Sequence, residues 1–162
     1  MLPVVNGRSC KDCTVCCDGT LKANIRGHEM NFGKPCFFVQ KGKGCSDYEN
    51  RPRVCQEFQC EWLTNPEIPE ELAPNKINAL ISRHTQDGIE HLALTEAGVK
   101  LDSEVLTWVL MYALSKGLNL KWSCAGNAFY IGQPDFVDQM DEMIRVGYES
   151  LNQPSSSNRQ DS

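Results

Sequence analysis

The chain has 162 residues, a size that suits one domain, or one domain with a small module, and excludes a large multidomain machine. It is 41% hydrophobic and 23% charged, and no apolar run approaches the ~18 residues needed to span a bilayer, so a membrane protein is excluded from the expectation. The formal net charge of −5 argues against a broad nucleic-acid surface, because affinity for phosphate grows with the Lys and Arg that neutralise it.

The first eight residues have neither a basic region nor an apolar stretch of the kind a secretory signal carries, so the expected location is the cytoplasm, where thiols stay reduced. Eight of the nine cysteines (Cys10, Cys13, Cys16, Cys17, Cys36, Cys45, Cys55 and Cys60) follow within the first 60 residues, and only Cys124 lies elsewhere. In a reducing compartment such density points to metal ligation or redox chemistry before a disulfide framework. Residues 1–62 carry nine Lys and Arg against seven Asp and Glu, whereas residues 63–162 carry seven against fourteen. A tetrathiolate site holding a divalent metal keeps about −2 of charge, which Arg8, Lys11, Arg51 and Arg53 would offset.

From Cys10 to Trp62 no helical or strand period is sustained, so metal bonds rather than a large core are expected to fix these loops. Residues 64–74, with three prolines and three glutamates, read as a surface connector. Two strands are predicted over 76–84 and 89–95, joined by Asp87-Gly88 in a type I′ turn. That turn sets Ile81 opposite Leu94 on a buried side with Ile77, Ala79 and Leu92, and His84 opposite His91 on the other. Asp102-Ser103 can cap a helix that runs to Lys116 and stops at Gly117. Its middle is apolar nearly all round, which predicts a central buried helix. A second strand pair is predicted over 118–123 and 128–131. Pro134 opens an amphipathic helix with Phe136, Met140, Met143, Ile144, Tyr148 and Leu151 on one face. The expected fold is α+β, a small antiparallel sheet with two helices plus an irregular cysteine-rich module at its N-terminal side. The predicted division is residues 1–66 as the metal-binding module, 67–152 as the α+β portion packed with it, and 153–162 as a disordered tail.

The first cysteine group is Cys10-x2-Cys13-x2-Cys16-Cys17. Two-residue spacing lets the sulfurs of one tight loop converge on a centre with metal–sulfur bonds of ~2.3 Å. The adjacent Cys16 and Cys17 diverge in extended backbone, so they either serve different centres or one is a packed thiol. The second group, Cys36, Cys45, Cys55 and Cys60, is spaced too widely for a zinc finger or zinc ribbon, and the first group lacks the Cys-Pro step of the bacterial ferredoxin run.

Together with Pro35-Cys36-Phe37-Phe38 and Gly44-Cys45-x2-Tyr48-x2-Arg51-Pro52-x2-Cys55-x2-Phe58-x-Cys60-x-Trp62, the first group closely resembles the CxxCxxCC cysteine-cluster family (YkgJ-type), to which flagellin lysine N-methylases are also similar. The resemblance covers residues 10–62. It implies chelation of zinc, iron or an iron–sulfur cluster, with no single reaction attached. Methylase activity is not carried over, since no glycine-rich strand-to-helix turn of a methyl-donor domain is present.

The expected metal ligands are therefore Cys10, Cys13, Cys16, Cys17, Cys36, Cys45, Cys55 and Cys60, in one site or two. Arg51 is the expected cofactor-shell residue, donating to thiolate sulfur, while Tyr48, Phe58 and Trp62 read mainly as a small structural core that could also exclude water. Cys124 reads as a small packed hydrophobe, His28 as a spare ligand, and His84 and His91 as a solvated strand pair left outside the site. The leading function is a metal-binding protein with no assigned protein partner. The alternative is a metal- or iron–sulfur-dependent enzyme acting on a peptide or small molecule, for which no catalytic residue is evident: the chain has no HExxH pair, phosphate loop or Ser-His-Asp triad legible in its sequence.

Overall fold

The computed structural model describes residues 2–10, 13–40 and 42–152. Its frame grows from the predicted hairpin. Asp87 and Gly88 both take positive φ, 50° and 84°, the conformation a type I′ turn demands. The turn sets strands β5 (Ala79–Gln86) and β6 (Ile89–Glu96) in the expected register, with Ile81 opposite Leu94 and His84 opposite His91. Residues 76 and 77 do not join the strand. Pro74 opens a short helix α3 (Pro74–Ile77), and Asn78 leaves it in the left-handed region, which an asparagine tolerates.

The fold is α+β. Strands β7 (Asn119–Cys124) and β8 (Asn127–Ile131) complete a four-stranded sheet of order β5-β6-β7-β8. Two of its pairings are antiparallel; β6 and β7 run parallel, because helix α4 (Ser103–Lys116) connects them as a crossover. Asp102 caps α4 by accepting from the backbone N–H groups of Glu104 and Val105, and Gly117 ends it at φ 65°.

The main core lies between α4 and one sheet face. Val105, Val109 and Ala113 meet Ala79, Ile81, Leu92, Leu94 and Leu120, all buried. Each fully buried leucine contributes roughly 1.5–3 kcal/mol of transfer free energy. The expectation of a helix buried all round is corrected here: Met111 is 64% exposed and Leu114 57% exposed, because a single sheet face covers only one side of α4. Helix α5 (Pro134–Asn152) packs on the opposite face through Phe136 and Met140, and the Phe136 ring lies 5.2 Å from that of His91. His91 is thereby buried rather than solvated. Beyond Met140 the apolar residues Met143, Ile144 and Tyr148 are exposed. The predicted tail, 153–162, lies outside the described residues. No helix among the described residues is long and apolar enough to cross a membrane.

The cysteine-rich segment is built from elements of two to five residues, too short to show a period in sequence: the hairpins β1 (Ala23–Ile25) with β2 (His28–Met30) and β3 (Val39–Gln40) with β4 (Gly44–Cys45), then helices α1 (Arg53–Glu57) and α2 (Glu61–Thr64). Its own core is small, with Ile25, Met30 and Cys36 buried and Leu21, Phe38 and Val39 packed on them. Two features tie it to the frame. Arg8 lies over the Trp62 ring and donates to the carbonyls of Trp62, Asn65 and Ile68. Glu61, 4% exposed, receives a two-point contact from Arg83 of β5 at 2.9 and 3.1 Å.

Candidate metal centre

Each thiol is positioned by a local device. The Cys13 N–H donates to the Cys10 carbonyl at 3.2 Å, closing a turn, and Cys16 and Cys17 open an irregular helical turn, Cys16–Thr20. Gly19 within that turn has φ 90°, and a Cβ there would stand 2.9 Å from the Asn31 carbonyl oxygen, so the close return of the chain after Cys17 requires glycine. The Cys36 N–H reaches the Cys17 carbonyl at 2.7 Å. Cys45 lies on β4 opposite Val39, Cys55 on α1, and Cys60 at the N-cap of α2.

These segments converge. Cys10, Cys13, Cys16, Cys17, Cys36, Cys45, Cys55 and Cys60 all line one cavity of about 380 Å³, and Cys124, partly buried at the end of β7, does not. All nine cysteines are free thiols. Leu63, Pro74, Leu80 and His84 supply the frame's share of the wall. Among the described residues, no three His, Cys, Asp or Glu side chains close on a point as a metal-bound set would. The thiols ring the cavity instead, and Cys16 Sγ lies 3.7 Å from Cys17 Sγ.

The predicted shell residue Arg51 is at the site. Its Nη1 donates to Cys10 Sγ at 3.4 Å, and its guanidinium lies 3.7 Å from the Tyr48 ring centroid; Tyr48 Oη is itself 3.3 Å from the same sulfur. Arg51 Nε is buried with no hydrogen-bond partner among the described residues. The other cations expected to offset thiolate charge are engaged elsewhere: Arg8 on backbone carbonyls and Arg53 on Glu57 at 2.5 Å in solvent; Lys11 lies outside the described residues. Phe58 lines the cavity, whereas Trp62 belongs to the main core. His28 is not a wall residue and stacks on Phe37 at 4.2 Å. His84, set aside on sequence grounds, is on the wall, and it also borders an open groove across the second sheet face. Only the hairpin register together with the placement of the cysteine loops beside β5 reveals it. Its Nε2 lies 2.8 Å from Ser82 Oγ.

The thiols differ in their readiness to ionise. Burial holds Cys13 above its usual range, and it pushes Cys60 up to about 11, with the charges of Cys13 and Cys10 adding to the effect. Burial, then the charges of Cys17, Cys36 and Cys45, raises Cys55. In the Cys16–Cys17 pair, the shared hydrogen bond keeps the proton on Cys16 and favours the thiolate of Cys17, which Arg51 also stabilises. In kind, this donor set fits a thiophilic metal: eight thiols, a half-buried guanidinium whose Nε is buried without a partner among the described residues, and a largely apolar wall.

Fold and site together define a class, a small α+β protein whose N-terminal loops and sheet enclose a cavity ringed by free thiols. No family model, no curated protein and no solved structure matches the chain.

Proposed function

We propose that the protein is a thiolate metal-binding protein of the CxxCxxCC cysteine-cluster type, holding zinc, iron or an iron–sulfur cluster through Cys10, Cys13, Cys16, Cys17, Cys36, Cys45, Cys55 and Cys60. One observation carries the reading: eight thiols from six short segments share one cavity wall while the ninth cysteine lies elsewhere. Burial opposes thiolate formation at Cys13, Cys55 and Cys60, and a bound cation is the chemistry that reverses that penalty. Arg51 and Tyr48 would hold the ligand shell by hydrogen bonding to sulfur. A bound metal would supply either a closed structural link or, as an iron–sulfur cluster, a one-electron redox centre. A reducing compartment such as the cytoplasm suits eight free thiols.

Metal, sulfide and visible-absorption analysis of the anaerobically purified chain tests this. Zinc without colour, or iron with acid-labile sulfide and a brown colour, is expected, together with loss of metal in Cys13→Ser and Cys55→Ser. Metal-free protein whose eight thiols all alkylate freely would overturn it.

A second reading, a metal- or cluster-dependent enzyme, is favoured by one specific feature: His84 borders both the thiol cavity and a groove of about 640 Å³ over the sheet, where His91, Lys121 and Ser123 also lie. A centre retaining an exchangeable coordination position, detected by cyanide or azide binding to the metal-loaded protein, separates this reading from the first.

A further inference from the structure

We propose that the eight thiols close two separate four-sulfur centres, one from Cys10, Cys13, Cys16 and Cys60 and the other from Cys17, Cys36, Cys45 and Cys55, with Arg51 at the seam between them. The inference rests on the metal-binding reading above and assigns its ligands.

The partition follows the two cores. Cys10 and Cys60 pack against the main core, and Cys13 is tied to Cys10 by the turn between them. Cys36 belongs to the smaller core, on which Cys17 and Cys55 pack. Cys45 faces Val39, another member of that core, across β3 and β4. The Cys36 N–H bond to the Cys17 carbonyl fixes those two positions together. Cys16 completes the first set, because its neighbour Cys17 packs on the smaller core with Cys36 and Cys55.

Cys16 and Cys17 open a helical turn with their sulfurs 3.7 Å apart, so the seam between the two sets runs between these neighbours and their side chains turn to different centres when the sets close. Four thiolates are the full complement of a tetrahedral zinc ion or of a [2Fe–2S] or [4Fe–4S] cluster. A single four-ligand centre would instead leave four further thiols crowded beside an anionic complex. Arg51 meets the need of the divided arrangement, because it donates to Cys10 of the first set and lines the same cavity as Cys17 and Cys55 of the second.

The test uses the full chain, reduced and metal-free, titrated anaerobically with zinc. Two ions per chain are expected. At one equivalent, N-ethylmaleimide labelling followed by peptide mapping is expected to find four thiols protected as one of the two sets, with Cys124 always labelled. Cys60→Ser should retain one ion and protection of Cys17, Cys36, Cys45 and Cys55; Cys36→Ser should retain one ion and protection of the other set. Saturation at one ion per chain, or a protected group that mixes the sets, overturns the partition and leaves metal binding standing. Zinc that protects no thiol overturns both. The map on the unsubstituted chain decides the matter even where a variant fails to fold.

Discussion

Arg83→Met should destabilise the protein far more than the loss of an ordinary surface ion pair. The Glu61 carboxylate that Arg83 grips is 4% exposed, and it also accepts from Asn65 Nδ2 at 3.1 Å. Stranding a buried charge costs 3–5 kcal/mol, and because the Arg83 side chain is 31% exposed, water reaching the gap reduces this to about 2–3 kcal/mol. At roughly 2–4 °C per kcal/mol for a chain of this size, melting should fall by about 4–12 °C. The pH dependence checks the cause. Burial opposes ionisation of Glu61, but the Arg83 contact and Asn65 outweigh it and hold the carboxyl below its usual range, so in the parent the contribution is present above the ordinary glutamate pKa and is lost as pH falls through the lowered one. In the variant, burial without the cation raises that pKa, so the folded state takes up a proton before the unfolded state does, and the stability deficit should shrink between pH 7 and pH 5. Urea unfolding at both pH values reads the difference, and the doubly apolar Glu61→Met with Arg83→Met should recover much of it. A deficit below 0.5 kcal/mol, or one equal at both pH values, would refute the reasoning. Because Glu61 directly follows Cys60, the pair also anchors the helix start that presents this thiol to the cavity.

Arg51→Met should leave the number of bound ions unchanged while weakening zinc affinity about 10–100-fold, the usual effect of losing a hydrogen bond to a ligand atom; competition with a chromophoric chelator measures it, and affinity within twofold of the parent counts against the assignment. Zinc binding should release protons and strengthen as pH rises, since Cys13, Cys16, Cys55 and Cys60 are held protonated above their ordinary range. Calorimetry in buffers of different ionisation enthalpy counts those protons, and an affinity flat from pH 6.5 to 8.5 contradicts the picture. Chelation should unfold the chain locally, because the smaller core has three buried residues and the main core fourteen. Hydrogen exchange is expected to lose protection across residues 16–58 and keep it in β5, β6 and α4; simultaneous loss everywhere would show that the two cores are one cooperative unit.

The frame was legible where local chemistry decides it. Asp87-Gly88 admits few alternatives to a tight turn, and the turn fixes register, so Ile81 against Leu94 and His84 against His91 followed from two residues. Asp102 and Gly117 bounded α4 for similarly local reasons. What the sequence could not show was long-range. The outer side of α4 carries Met111 and Leu114 beside its polar stripe, and only the position of the sheet distinguishes buried Val109 from exposed Met111. The set of eight site cysteines was legible from density and spacing, and Arg51 from its motif position. Their division was not, because Cys36, Cys45, Cys55 and Cys60 carry no paired spacing, and Cys60 sorts with the first group only through the folding of α2 onto the main core. His84 was invisible as a wall residue for the same reason: it lies beside the cysteines only because the loops pack next to β5.

The size of the α+β portion, larger than chelation alone requires, has a structural account in the wall of the cavity. Leu63 of the main core, Pro74 of the connector and Leu80 and His84 of β5 line it, so loops whose own core is small face a surface supplied largely by the frame. This constrains the chemistry available. If both four-thiol sets close, every coordination position is filled by sulfur: zinc in such centres is structural, and a cluster in them can pass electrons but cannot bind substrate at a metal atom. Catalysis at a metal would require one set to surrender a thiol, and His84, at the junction of cavity and groove, marks the side from which a ligand would reach the vacated position. The number of ions bound and the exchangeability of their ligands are therefore a single question, and the zinc titration with thiol mapping answers its first half.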